Sequence, residues 1–215
     1  KNRVMGSITQ ASVMAFDLFS KRYEGALNWT PEEFDRIVTR GCFPLHPLTT
    51  SLLCNLKLQG DVIDNPRTIL GFVFDEIAKH SEEPVLSGEN GEKINWILPI
   101  NIIDYFGEYL PREKYQEYRR AIERLGQDIS ADQLAVLKAL VLQYMADGKF
   151  TRDNQRNFLS QASGVPNHQV DAHLQALKNA RILRIETVTN MYSFVPAGQA
   201  EDIENYLQKH MPDDT

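Results

Sequence analysis

Only two of the 215 residues are cysteines, Cys42 and Cys54, too few for a disulfide framework, and the expectation is a reduced, cytoplasmic protein. No stretch approaches the run of about 20 apolar residues that a membrane span needs, and the first apolar segment is too short and interrupted to be a signal peptide. Excess positive charge is missing as well. Net charge is −6, which argues against whole-chain attraction to nucleic acid or anionic lipid, though not against a local basic patch. No Gly-rich phosphate cradle ending Gly-Lys-Ser/Thr precedes the acidic pair Asp75-Glu76, so "TILGFVFDEI" is not the magnesium-binding strand of a P-loop ATPase. It reads instead as a helix with both carboxylates on its polar side. No Ser-His-Asp or Cys-His nucleophile arrangement is legible, and the chain is expected to be non-catalytic.

What is present is helical. The composition is 42% apolar, enough for one large domain or two modest ones. Residues 7 to 24 carry Ile8, Ala11, Val13, Ala15, Phe16, Leu18 and Phe19, predicting a helix with a broad buried face. "NWTPEEFDRIVTRG" opens with Thr30 as N-cap, Pro31 at the first helical position and Glu33 three residues after the cap, and Gly41 stops it. "GCFPLHPLTTSLLCNL" then launches another helix, with Pro44 and Pro47 at its mouth and Leu48, Leu52, Leu53 and Leu56 as the buried stripe. "DNPRTILGFVFDEIAKH" repeats the device from Asn65 and Pro66. "SEEPVLSGENGEKIN" reads as a polar loop, followed by aromatic-rich helical material to residue 125.

The pattern changes near "GQDIS". Three helices follow, the first with Leu134, Leu137, Val141 and Tyr144 on a stripe and the third with Val170, Leu174 and Leu177 at i, i+4 and i+7. "RILRIETVTNMYSFVP" then reads as strand, turn, strand, and residues 201 to 211 as a short amphipathic helix. The predicted fold is mainly α, with a bundle-like helical domain over residues 1–128 and a second domain over 129–215.

Two resemblances add to this reading. "FLSQASGVPNHQVDAHLQALKNARILRI" resembles a winged helix over residues 131 to about 198. That resemblance implies a third helix used for recognition, whose residues His168, Gln169, Gln175, Lys178 and Asn179, with Arg181 and Arg184 beyond, would meet DNA or a protein partner. Residues 131–200 hold seven Lys/Arg against five Asp/Glu, thin for a helix that draws affinity from phosphates, so a protein-facing role leads over double-stranded DNA.

The second resemblance covers residues 41 to about 106. "FPLHPLTTSLLCNLKLQGD", "NPRTILGFVFDEI" and "LPINIIDYF" resemble the segment after the ATPase core in large bacterial P-loop ATPases related to AAA+ and STAND proteins. It implies a helical lid followed by a winged helix, with ATP and magnesium held by an upstream core and no cofactor in this chain. Pro44 or Pro47 would pack on the adenine, His46 would lie beside base or phosphates, and Arg67 would reach the terminal phosphate. The first residue is Lys1 rather than methionine, and the expectation is an excised piece of a longer polypeptide.

Alternatives at the same residues are structural. His46 also reads as a capping or packing histidine, and Arg67 as a surface residue in a first helical turn. Cys42, His46 and Cys54 match zinc ligands by type but not by spacing, and no metal is expected. The rival function is a stand-alone winged-helix regulator with a helical dimerisation or ligand domain. An enzyme using Asp75 and Glu76 ranks last.

Overall fold

The structure, a computed structural model, describes residues 2–55, 69–88, 91, 93–110 and 112–196. Arg67, the Asn65-Pro66 helix start, Leu56 and the expected terminal helix at 201–211 lie outside them.

The first helix, α1 (Asn2–Leu18), runs into a π-helical turn at Lys21–Ala26. It buries Ala11, Ala15, Phe16, Leu18 and Phe19. Val13, expected on that face, is 49% exposed, because the helical repeat carries it to the side opposite Ala11 and Ala15. The reciprocal cap is as the sequence predicts: Thr30 Oγ1 accepts from Glu33 N at 3.2 Å, and Glu33 Oε2 from Thr30 N at 2.8 Å. That cap starts α2 (Pro31–Phe34), which continues through a π-helical turn at Asp35–Arg40. Phe16, Tyr23, Trp29 and Phe34 pack ring against ring beneath it, with Tyr23 and Phe34 centroids 4.7 Å apart.

Gly41 ends this segment for a reason other than a left-handed turn. Its φ is −72°, and a Cβ there would stand 2.3 Å from the carbonyl oxygen of Ile37. Only glycine lets the chain pass that carbonyl.

The next helix, α3 (Pro47–Leu53), is buried at every position, including Thr49, Thr50 and Ser51. It starts after a cis Phe43–Pro44 peptide and a one-residue parallel bridge between Leu45 and Ile97. Further on, α4 (Ile69–Lys79) reverses the expected polarity. Phe72 and Glu76 are buried, whereas Leu70 is 80% and Phe74 73% exposed. The expectation of Glu76 on a polar face is therefore corrected. Its carboxylate accepts from Lys79 Nζ and from Asn101 Nδ2, both at 2.5 Å, so the buried charge is met by an exposed ammonium on the same helix and by an amide of the next. The segment expected to be loop contains a small antiparallel hairpin, β1 (Leu86–Ser87) with β2 (Lys93–Ile94).

After α5 (Asn101–Phe106) and α6 (Arg112–Leu125), a capping box at Ser130 and Gln133 opens α7 (Ala131–Met145). Val136, Leu137 and Ala139 through Gln143 are all buried, so α7 is enclosed rather than one-sided. Around it pack α8 (Arg152–Ser163), α9 (Asn167–Asn179) and the antiparallel hairpin of β3 (Leu183–Ile185) and β4 (Tyr192–Phe194). Val170, Leu174 and Leu177 are buried as predicted. One continuous apolar cluster draws on residues either side of 129, from Ala15 to Phe194. The described chain is mainly α, with two short hairpins.

A buried amide fastens the second hairpin. Gln155 Nε2 donates to the Tyr192 carbonyl at 3.0 Å and to Gln143 Oε1 at 2.9 Å, while its Oε1 accepts from Tyr192 N at 2.9 Å. A side chain thus occupies the backbone partner position that a third strand would fill.

Two substitutions test these positions. Gly41→Ala is expected to cost about 1–3 kcal/mol, because a backbone carbonyl must move, and to lower the thermal midpoint by several degrees in calorimetry. Gln155→Leu leaves the Tyr192 N–H and carbonyl without their partner and is expected to cost about 2–3 kcal/mol by urea unfolding, with faster amide exchange at Tyr192. An unchanged unfolding midpoint in either variant contradicts the corresponding assignment.

Candidate functional site

His46 sits where the N-terminal helices meet α8. It is the N-cap of α3, its Nδ1 accepting from Leu48 N at 3.2 Å, with Pro47 at the first helical position. Accepting there means Nδ1 carries no hydrogen, so the neutral ring holds its proton on Nε2. Nε2 then donates to Gln161 Oε1, 3.0 Å away on α8, across 115 residues of sequence. The residue is 1% exposed. Burial lowers its pKa to about 4, the Gln161 bond opposing that shift, so the imidazole is neutral at pH 7. A second proton would also set an Nδ1–H against the Leu48 N–H.

The surrounding backbone supports the same contact. His46 N donates to the Ile97 carbonyl at 3.1 Å, Ile97 N to the Pro44 carbonyl at 3.0 Å, and the Thr49 hydroxyl to the Ile97 carbonyl at 2.8 Å. Ile100 N reaches the Ala162 carbonyl in α8 at 3.4 Å. Gly164, the left-handed C-cap of α8 at φ 76°, lies so close to Leu98 that a Cβ would stand 2.7 Å from its Cδ1. Elsewhere along the seam Lys149 N donates to the Leu18 carbonyl at 2.9 Å, and Lys138 pairs with Asp104 at 2.5 Å. The indole of Trp96 stands edge-on to His46, 5.5 Å between centroids, and to Phe43 at 5.2 Å. An open cleft of about 530 Å³ lies against this junction, reached by Gln10 of α1, by His80, Glu83 and Lys93, and by Gln161.

The structure brings Pro44, His46 and Pro47 together. Pro47 and His46 are buried, while Pro44 is half-buried. Both ring nitrogens of His46 are engaged within the chain, which gives the residue the capping role that was the alternative to direct ligand contact. Cys42 is half-buried, its thiol donating to the Ile37 carbonyl at 3.6 Å, and burial raises its pKa; Cys54 is exposed. Among the described residues no group of three His, Cys, Asp or Glu side chains is placed to hold a metal. Asp75 accepts from the Tyr105 hydroxyl at 2.9 Å.

The second candidate set lies apart from the junction, on α9 and β3. His168, Gln175, Lys178, Asn179 and Arg181 are exposed, Gln169 and Arg184 partly so. Gln175 Nε2 donates to Asn179 Oδ1 at 2.9 Å, and Asp171, the carboxylate of this helix, pairs with Arg156 of α8 at 3.0 Å. Arg181 adopts a left-handed φ of 58°, and its carbonyl accepts from Arg124 Nη1 at 3.3 Å.

Gln161 and Ile97 escape a reading of the sequence, since each sits in a stretch with its own local explanation. Among the described residues no helix is long and apolar enough to cross a membrane. No protein-family model, curated protein or solved structure matches the chain.

The pH dependence of stability tests the His46 geometry. Its folded pKa, about 4, is below the unfolded value of about 6.5, so between them the unfolded chain binds more protons and stability falls as pH falls. The expected loss through His46 alone is roughly 2–3 kcal/mol between pH 7 and pH 4.5. His46→Asn retains a capping acceptor and removes this titration. Its urea-unfolding free energy is expected to change less over the same window, and parallel pH profiles for the two proteins refute the assignment.

Proposed function

We propose that this chain is a non-catalytic regulatory portion of a larger bacterial P-loop ATPase of the AAA+/STAND-related kind, in which residues 41 to about 106 serve as a lid and the three helices and hairpin from residue 129 as a winged helix. The observation that carries this reading is the bond from His46 to Gln161. The segment that resembles a lid is tied, through a buried imidazole, to the middle helix of the proposed winged helix. Displacement at the Pro44-Pro47 mouth then moves α8 rather than dissipating in a linker. Nucleotide state in an upstream core, which would hold ATP and magnesium, would be felt at this mouth and at Arg67 and delivered to the face formed by α9 and β3. His46 acts as the strut in this scheme, and Pro44, the more accessible proline, faces the nucleotide.

The experiment is isolation of the native polypeptide from its source cell with an antibody raised to this chain. A mass well above 24.6 kDa, magnesium-dependent ATP hydrolysis and a fall in turnover or nucleotide affinity of about tenfold or more in Arg67→Ala are expected. A native product of 24.6 kDa overturns the reading.

A second reading, a free-standing winged-helix DNA regulator, is favoured by the exposure of His168, Gln175, Lys178 and Asn179 on one helix. It predicts duplex binding that weakens steeply between 50 and 200 mM salt, by about 10³-fold or more for six phosphate contacts. The mixed charge around Arg156 and Asp171 supports a protein-facing surface instead.

A further inference from the structure

The cleft beside His46 contains polar groups whose bonding capacity the protein leaves unspent. Gln161 is oriented by the buried imidazole: its Oε1 accepts from Nε2–H, which turns the amide's two N–H donors away, and they have no partner among the described residues. Glu83 and Lys93 line the same cleft, both exposed, and neither is in an ion pair with a described residue. His80 donates Nδ1–H to the Glu76 carbonyl at 2.8 Å, because a carbonyl can only accept, and its Nε2 has no partner among the described residues. Trp96 contributes a half-buried indole to the wall.

These groups set the ligand's chemistry. Among the described residues the cleft offers one full positive charge, one full negative charge, an amide left with donors only and an unpartnered imidazole nitrogen. An anion alone would leave Glu83 opposed to it, and a cation alone would leave Lys93 opposed. A ligand carrying both charges satisfies all four. The volume, about 530 Å³, is within the range of small-molecule sites.

We infer that this cleft binds a free α-amino acid as its zwitterion, the carboxylate held by Lys93 and the Gln161 amide, the ammonium by Glu83 and His80 Nε2, and the side chain against Trp96. The inference is independent of the ATPase reading, since every group belongs to this chain. Because the cleft takes residues from α1, the β1–β2 hairpin region and α8, occupancy would brace these elements against each other.

The test is isothermal titration of the 215-residue chain with each of the twenty standard amino acids at up to 10 mM, Trp96 fluorescence being followed in parallel in a Trp29→Phe variant. One or a few are expected to saturate with Kd at or below about 1 mM. Their N-acetyl and carboxamide derivatives, each lacking one charge, are expected to bind at least about tenfold more weakly. Glu83→Gln should abolish discrimination against the N-acetyl form and Lys93→Met against the carboxamide, with thermal midpoints unchanged because both positions are exposed. If none of the twenty saturates, or if the derivatives bind as tightly as the zwitterion, the inference is overturned.

Discussion

A neutral imidazole ties the start of α3 to the last turn of α8, within the seam between the N-terminal helices and the helices after residue 129. His46 can complete both its hydrogen bonds in one tautomer alone, and the surrounding burial keeps it in that form. The α3 helix depends on it for a cap, and α8 depends on it for the placement of Gln161. The backbone bonds of Ile97 and Ile100 run alongside, so the imidazole lies within a short ladder rather than at an isolated contact. A charged side chain there would carry a desolvation cost that neither neighbour could offset, since one is an N–H donor and the other an uncharged amide.

The same device, a polar side chain standing in for backbone, recurs in the second hairpin. Gln155 offers Tyr192 both a donor and an acceptor, as a neighbouring strand would, and Gln143 anchors it from α7. Glu76 does something similar with charge, its buried carboxylate bonded to Lys79 and Asn101 while Leu70 and Phe74 of α4 face outward. In each case a group that would be costly alone in the interior is tolerated because at least one of its partners is placed by another element. The proposed relay through His46 and the proposed ligand cleft both draw on this economy: the imidazole that braces α8 also turns the Gln161 donors outward.

Much of the helical framework was legible before any coordinates. The cap at Thr30, the proline-led start at Pro47 and the Val170, Leu174, Leu177 stripe follow from local chemistry, which acts within one or two turns. Val13 and Glu76 were misread because periodicity reports which residues could share a face, not which face finds a neighbour. Around α4 the partner is α5, and it takes the side bearing Phe72 and Glu76. The β1–β2 hairpin was hidden by its shortness, with two residues in each strand and no alternation to detect. Of the candidate site, the sequence drew attention to Pro44, His46 and Pro47 but gave no sign of Gln161.

What the sequence by itself determined is the mainly α character and the position of most helix starts, because caps, proline and 3.6-residue periodicity are properties of neighbouring residues. What only the tertiary structure decided is which polar side chains are spent inside the protein and which remain available. The pairing of His46 with Gln161 spans 115 residues, and the tautomer, the lowered pKa and the outward turn of the amide all follow from that one approach. No local pattern encodes it, since hydrogen bonding depends on distance in space and not on separation along the chain.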